Sequence, residues 1–319
     1  MPDRYLLDFE EPLRLIRQKI SEIEDWEGHE TEHSMTEIKH LEEQEAKLVD
    51  EIYSNLTNWQ RVQIARHPKR PYTLDYIDMM MTDFVELHGD RGTGDDPAMV
   101  TGFAKLNDMP VAVIGQQKGR DNESRIMRNF GSANPEGYRK ALRIMKLAEK
   151  FSRPVITFVD TAGAFPGIVA EEHGQGEAIA KNLMEMSRLK VPIIVVIIGE
   201  GGSGGALGIG VGDRIVMIEN SWYSVIAPES CSMILVKNTD KKDKFAESLK
   251  LAPKQLKKLG IIDDIISEPL GGAHNNPEKV AKELKTCLVK TLDTLCSVPT
   301  DTLTKDRIKK FTKMGRWSE

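Results

Sequence analysis

Three times in the middle of this chain an apolar run enters a glycine-bearing turn and then a helical pattern, with the repeats roughly 40 residues apart. The runs are "MPVAVIG" from Met109, "RPVITFVD" from Arg153 and "VPIIVVIIG" from Val191. They are apolar on both faces, as strands of a parallel sheet covered by helices must be. The spacing leaves room for right-handed crossovers, which need a dozen or more residues between parallel strands. Helices are predicted over residues 135–150 and about 172–189. Upstream, "MVTGFAKL" pairs with the first run around a turn at Asn107 and Asp108. Downstream, "RIVMIE" and "WYSVI" read as shorter strands, and "APESCSMIL" begins a helix. The class expected is α/β.

The flanks carry little chemistry. Residues 1–65 read as a helical hairpin. Leu13, Ile16, Ile20 and Ile23 share one helical face, "EGHETEH" breaks it, and Ser34 with Glu37 forms a capping box for a second helix. Met35, Ile38, Leu41, Leu48, Ile52 and Leu56 make that helix's stripe. Such a hairpin either packs on its own chain or docks a partner subunit. "ARHPKRPYTLDY" is a connector in which Thr73 can cap the next helix. "LHGDRGTGDDPAM" is a loop with Arg91 in solvent, and the lysines of residues 237–258, mixed with acids, make a solvated face. Residues 66–298 form the main domain, and 299–319 a polar tail that adds little to the core.

Charge and cysteines exclude several classes. A net charge of -5 gives no overall attraction to nucleic acid or anionic lipid. Cys231, Cys287 and Cys296 make no C-x-x-C pair, which argues against a disulfide framework and a cysteine zinc site. The apolar run at Val191, broken by Pro192, is too short to span a bilayer. The acidic start "MPDRYLLDFEE" lacks the basic and apolar regions of a signal peptide. A cytoplasmic location is expected.

The richest stretch is "VIIGEGGSGGALGIG", Val196 to Gly210, and it admits three readings. As G-x-G-x-x-G from Gly199 it is a dinucleotide fingerprint, with Glu219 about 20 residues on as the ribose acid. Glu200 would then lie beside the pyrophosphate, and Gly208, Gly210 and Gly212 weaken the crossover helix. As G-x-S-x-G it is a nucleophile elbow, with Ser203, Asp213 or Asp263, and His274 in triad order. No HGGG-type segment lies upstream of it. The third reading uses main chain alone: the first N–H groups of a helix near Gly204 lack internal partners, and Gly204 and Gly205 can hold an oxygen that gains charge. "DTAGAFPG", Asp160 to Gly167, is a second such turn, offering Gly163 and Ala164. Two turns at the same end of adjacent parallel strands face one crevice. This reading explains both turns, which its rivals do not.

With these stretches in view, the sequence resembles the alpha-subunit family of bacterial acetyl-coenzyme A carboxylase carboxyltransferase. The matching motifs are "ARHPKRPYTLDY", "GQQKGR", "MRNFG", "PEGYRKALR", "DTAGAFPG", "GEGGSGGALGIGVGD", "YSVIAPESC" and "EPLGGAHNNPE", in order from residue 65 to 278. The start "LDFEEP" also fits. One departure is Ala162, where the family commonly has proline; another is the variable pair in "GQQKGR", where Gln116 attracts no notice. The resemblance implies a crotonase-like spiral of β-β-α units behind the helical hairpin. It implies transfer of a carboxyl group from carboxybiotin, on a separate carrier protein, to acetyl-CoA, giving malonyl-CoA for fatty acid synthesis. Implied partners are a zinc-bearing beta subunit, as an alpha2-beta2 assembly, the biotin carboxyl carrier protein and biotin carboxylase. No metal is expected in this chain. The resemblance assigns the donor role to Gly204, Gly205, Gly163 and Ala164, with Gly201, Gly202, Ser203, Phe165, Pro166 and Gly167 lining the biotin site. Lys118 and Arg120 meet either an anion or solvent; Glu200, Glu171 and Glu172 cap helices or form ion pairs.

Overall fold

A computed structural model describes residues 5–26 and 31–315. Helices α1 (Glu11–Glu24), α2 (Glu32–Ser54), α3 (Asn58–Ala65) and α4 (Thr73–Met80) come first, followed by β1 (Thr82–Glu86), β2 (Met99–Leu106) and β3 (Met109–Gln116). Next are α5 (Asn122–Met127), α6 (Pro135–Lys150), β4 (Val155–Thr161), α7 (Ile168–Glu172), α8 (Gln175–Arg188) and β5 (Ile193–Gly202). The chain continues through α9 (Ser203–Leu207), β6 (Arg214–Ile218), β7 (Trp222–Ser224), α10 (Pro228–Val236), α11 (Lys242–Ser248) and α12 (Pro253–Lys258). It ends with β8 (Asp264–Ile266), α13 (Pro277–Cys296) and α14 (Thr300–Thr312).

One sheet takes the order β1-β2-β3-β4-β5-β6-β8. β1, β2 and β3 are antiparallel neighbours, and every pairing from β3 to β8 is parallel. β5 is long enough to serve two partners. Ile194 to Ile197 pair with β6, and Glu200 to Gly202 pair with β7. Side-chain alternation divides the core into two layers. Val155, Val159, Ile193, Val195 and Ile197 face α6 and α8. Ile156, Phe158, Ile194, Val196 and Ile198 face α4 and α13. Each such buried side chain contributes about 1.5–3 kcal/mol over its exposed state.

The predicted second crossover helix is α8, and a short α7 precedes it, the two separated at Gly174 with φ 82°. The third is short: α9 has five residues and ends before Gly208, Gly210 and Gly212. β1 went unforeseen, because "TDFVE" is short and carries the charged residues Asp83 and Glu86.

At the amino end α1 and α2 pair, and only their lower part meets the body, through Leu13, Tyr53 and Ile64. Residues 27–30 of the predicted break lie outside the described residues. Thr31, not Ser34, caps α2; its hydroxyl accepts the Ser34 N–H at 3.2 Å. Met35, placed on the apolar stripe, is exposed, since two helices alone bury little. α3 packs into the body, where Val62 and Ala65 meet Trp222, Ala246 and Leu251. Thr73 does not cap α4. Its hydroxyl donates to the Gln116 carbonyl at 2.6 Å, and Tyr72 holds the cap position.

The polar tail is a correction too. α14 buries Leu303 and Arg307 against the sheet's lower edge. The Arg307 guanidinium bonds the Asp213 carboxylate and the carbonyls of Met186, Leu189 and Val191 at 2.7–2.8 Å. A composition rule treats that arginine as solvated; five buried acceptors give it a structural place instead.

Candidate active site

β4 and β5 are adjacent and parallel, so the turns that leave them emerge on one edge. The turns touch. A Cβ on Gly202 would lie 2.1 Å from the Ala162 carbonyl oxygen. A Cβ on Gly205 would lie 2.5 Å from the Ala164 nitrogen and 2.5 Å from the Gly163 carbonyl carbon. Any real Cβ at those distances must push one loop off the other. Between the two glycines, Ser203 holds φ 51°, a left-handed conformation that costs an L-residue energy and turns the chain sharply into α9.

Gly163, Ala164, Ser203 and Gly204 are half-buried, and a Cβ on Gly163 would meet nothing within 4 Å. The first turn of a helix has no carbonyl one turn earlier to accept its amides, so Ser203, Gly204 and Gly205 carry the unpaired donors of α9. On the other turn the two expected donors differ. The Gly163 N–H is taken by the Thr161 hydroxyl at 3.2 Å, which in turn donates to the Gly163 carbonyl at 2.7 Å. The Ala164 N–H has no acceptor among the described residues. The Phe165 amide is spent on the Ala133 carbonyl at 3.0 Å, and Gln175 ties down its carbonyl. Gly201 sits in the ladder beside Tyr223 and is buried. Pro166 is exposed and Gly167 leads into α7.

The underside of the turns is bonded densely. Gln116 accepts from the Asp160 N–H at 3.0 Å and donates to the Gly205 carbonyl at 2.8 Å. Tyr138 reaches the same carbonyl at 3.3 Å. Asn182 donates to the Gly208 carbonyl at 2.9 Å, and Thr157 to that of Ile209 at 2.9 Å. None of these was singled out from sequence. The only available signal was a polar residue in an apolar strand, as at Gln116 and Thr157.

Beside Ala162 a cavity of about 390 Å³ is lined by Tyr72, Lys118, Arg125, Phe130, Ser132 and Glu200, among others. Lys118 is neither a free anion binder nor a surface residue: its ammonium lies 2.7 Å from both Asp160 and Glu200. Arg66 bonds Glu200 at 2.7 Å and also Glu229. Arg120 stacks on Tyr72 at 4.0 Å and bonds the carbonyls of Pro68 and Arg70, which clamps the connector. Glu171 and Glu172 are exposed on α7.

The network sets the charge beneath the turns. Burial pushes the Asp160 carboxyl up, and Lys118 offsets this only in part. Burial would also raise Glu200, but Lys118 and then Arg66 outweigh it and hold the carboxyl at about 2. The folded value is below the ordinary 4.5, so the stability Glu200 supplies is complete above that pH and is lost as pH falls through about 2. The melting-temperature gap between the parent and Glu200→Gln is expected to stay constant above about pH 5 and to close toward pH 2. A gap that ignores pH would show that the carboxylate charge stabilises nothing.

The triad reading fails on position. Asp213 accepts from the N–H of Ile193, the first residue of β5, at 2.7 Å, and Ser203 follows its last residue. Ten strand residues put roughly 30 Å between them. Asp263 likewise accepts from Ile215 near the start of β6. His274 stacks on His67 with centroids 3.7 Å apart, and its Nδ1 finds no partner among the described residues. The dinucleotide reading fails on length, because five residues do not make a crossover helix, and the Glu219 carboxylate accepts the Glu268 N–H at 3.1 Å.

What remains is a pair of interlocked turns presenting amides at one sheet edge. The acetyl co-enzyme A carboxylase carboxyltransferase-like family matches residues 6–315. A relative from Chlorobaculum parvum, named acetyl-coenzyme A carboxylase carboxyl transferase subunit alpha, is 56% identical over 100% of this chain and 99% of its own length. The chain belongs to the acetyl-coenzyme A carboxylase carboxyltransferase family. Solved structures show that family's fold here. The beta subunit of geranyl-CoA carboxylase from P. aeruginosa aligns with TM-score 0.57 and 15% identity, over 76% of this chain and 45% of that one. A chain of a Pseudomonas malonate decarboxylase hetero-tetramer aligns with TM-score 0.55 and 17% identity, over 68% and 86%. The carboxyltransferase fold is the crotonase-like α/β spiral that the family resemblance implies. Among the described residues no cluster of His, Cys, Asp and Glu is placed to hold a metal, and no helix is long and apolar enough to cross a membrane.

Proposed function

We propose that this chain is the alpha half of a cytoplasmic carboxyltransferase that moves a carboxyl group from carboxybiotin, carried on a separate protein, to acetyl-CoA. The observation that carries this is the glycine-only contact between the two turns, which leaves the amides of α9 and Ala164 beside one another. Carboxybiotin supplies the carboxyl group and, on losing it, an oxygen that gains negative charge. The turns suit such a ligand: a half-buried surface with open space at Gly163 and main-chain donors in place of reactive side chains. Gly204 and Gly205 hold the charge, and Ala164 supports them from the facing turn. Gly163 supplies room rather than a donor, because Thr161 occupies its amide. Ser203 shapes the turn, and Gly201, Gly202, Phe165, Pro166 and Gly167 build its walls. Preorganised amides of this kind act where water is excluded and need no rearrangement during reaction.

Such a site is open on one side. We assign the closing surface and the acetyl-CoA contacts to a beta subunit, in an alpha2-beta2 assembly supplied by the carrier protein and biotin carboxylase. The isolated chain is expected to be inactive and to gain malonyl-CoA synthesis on reconstitution with its beta partner. In that complex Gly204→Pro, which deletes one amide donor, is expected to lower kcat by roughly 100- to 1,000-fold while the complex still elutes intact. Ser203→Ala is expected to keep most of the activity. Normal turnover by Gly204→Pro would sink the assignment, and loss of turnover in Ser203→Ala would return the hydroxyl to the chemistry.

A further inference from the structure

We propose that Gln116 is a positioning residue of the transfer reaction, setting the tilt of α9 against the facing turn from beneath. The inference rests on the oxyanion reading above. The side chain is fully buried at the end of β3, and both ends of its amide are used. Its oxygen takes the Asp160 N–H at 3.0 Å, and its nitrogen serves the Gly205 carbonyl at 2.8 Å. One amide thus joins the end of β4, which leads into the first turn, to the helix that follows the second. Carbonyls of a helix point toward its end and amides toward its start. Holding the Gly205 carbonyl from below therefore aims the amides of Ser203, Gly204 and Gly205 outward. Tyr138 shares that carbonyl at 3.3 Å but reaches neither Asp160 nor β4 through it. Thr73 fixes the Gln116 backbone in turn, bonding its carbonyl at 2.6 Å. An amide suits this place because its oxygen accepts while its nitrogen donates, whereas an aliphatic side chain of the same length does neither. A shift of 1 Å in donors that face developing charge can cost roughly 100-fold in rate.

The test uses the reconstituted complex. Gln116→Leu is expected to lower kcat roughly 10- to 100-fold, with KM for acetyl-CoA changing less than about threefold. Leu284→Ala, fully buried in the layer against α4 and α13, serves as a control of similar thermal destabilisation and is expected to keep its kcat. Gln116→Glu keeps the shape and is the informative variant where Gln116→Leu does not fold. Its carboxyl, buried near Asp160, is held protonated at higher pH than usual. The protonated form donates to the Gly205 carbonyl and the ionised form repels it, so kcat relative to the parent is expected to climb as pH falls. A Gln116→Leu kcat no lower than that of Leu284→Ala, or a Gln116→Glu profile parallel to the parent's, overturns the inference. Gly204→Pro run alongside separates the two levels. If it is slow while Gln116→Leu is fast, only the role of Gln116 falls. If both turn over normally, the oxyanion reading falls and takes this inference with it.

Discussion

Gly205→Ala is expected to lose carboxyl transfer by roughly 100-fold or more in the reconstituted complex, while Gly204→Ala stays within a few-fold of the parent. The two glycines are neighbours, and composition gives no reason to separate them. Geometry does. A methyl group on Gly205 would sit 2.5 Å from the Ala164 nitrogen, inside the contact distance of any real carbon. That neighbour is backbone, so it cannot swing aside as a side chain can. Either α9 lifts or the Ala162–Ala164 turn retreats, and in both cases the donors that must converge on one oxygen part. A methyl group on Gly204 meets the Ile179 side chain at 3.6 Å, an ordinary contact, and leaves the amide in place. Both variants also gain helix propensity, worth up to about 1 kcal/mol, so propensity alone predicts the same mild outcome for each. Rate assays with matched melting curves separate the accounts. Equal kcat for the two alanine variants would mean that contact between the turns is not required, and the two-turn site would have to be abandoned.

The order of legibility follows from the physics of each feature. Strand–turn–helix repeats were readable because burial on both faces leaves an unmistakable apolar run, as in Ile193 to Ile198. The glycine turns were readable because few functions other than close backbone approach require so many glycines. Their division of labour was not. Gly163 and Ala164 looked equivalent, yet the Thr161 hydroxyl occupies one amide and leaves the other. Gln116, Tyr138 and Asn182 were invisible because each acts on a carbonyl more than 20 residues away in sequence. Lys118 and Arg120 read as meeting either an anion or solvent for the same reason: their partners Asp160, Glu200 and Asp75 are brought to them only by the fold. Local patterns report what the local backbone needs; ion-pair partners are set by topology.

Arg307→Ala carries the largest expected loss of stability, about 3–5 kcal/mol, read as a fall of roughly 10 °C in melting temperature. The side chain is almost wholly buried, and so is that of its partner Asp213. Truncation strands a buried carboxylate together with the carbonyls of Met186, Leu189 and Val191, which close α8 and lead into β5. An uncompensated charge in such a place costs far more than the pair contributes while intact. The cost therefore falls when the stranded charge is removed as well. Arg307→Ala combined with Asp213→Asn is expected to be less damaging than the sum of the two single changes. Because Asp213 anchors the start of β5 and the glycine turn leaves its other end, kcat at a temperature where the variant remains folded is expected to match the parent's. Melting curves of the four combinations, with one rate assay, are sufficient. An Arg307→Ala protein that melts with the parent would return α14 to the dispensable tail that its composition suggests, whereas one that stays folded but slow would tie the lower edge of the sheet to the chemistry at the upper.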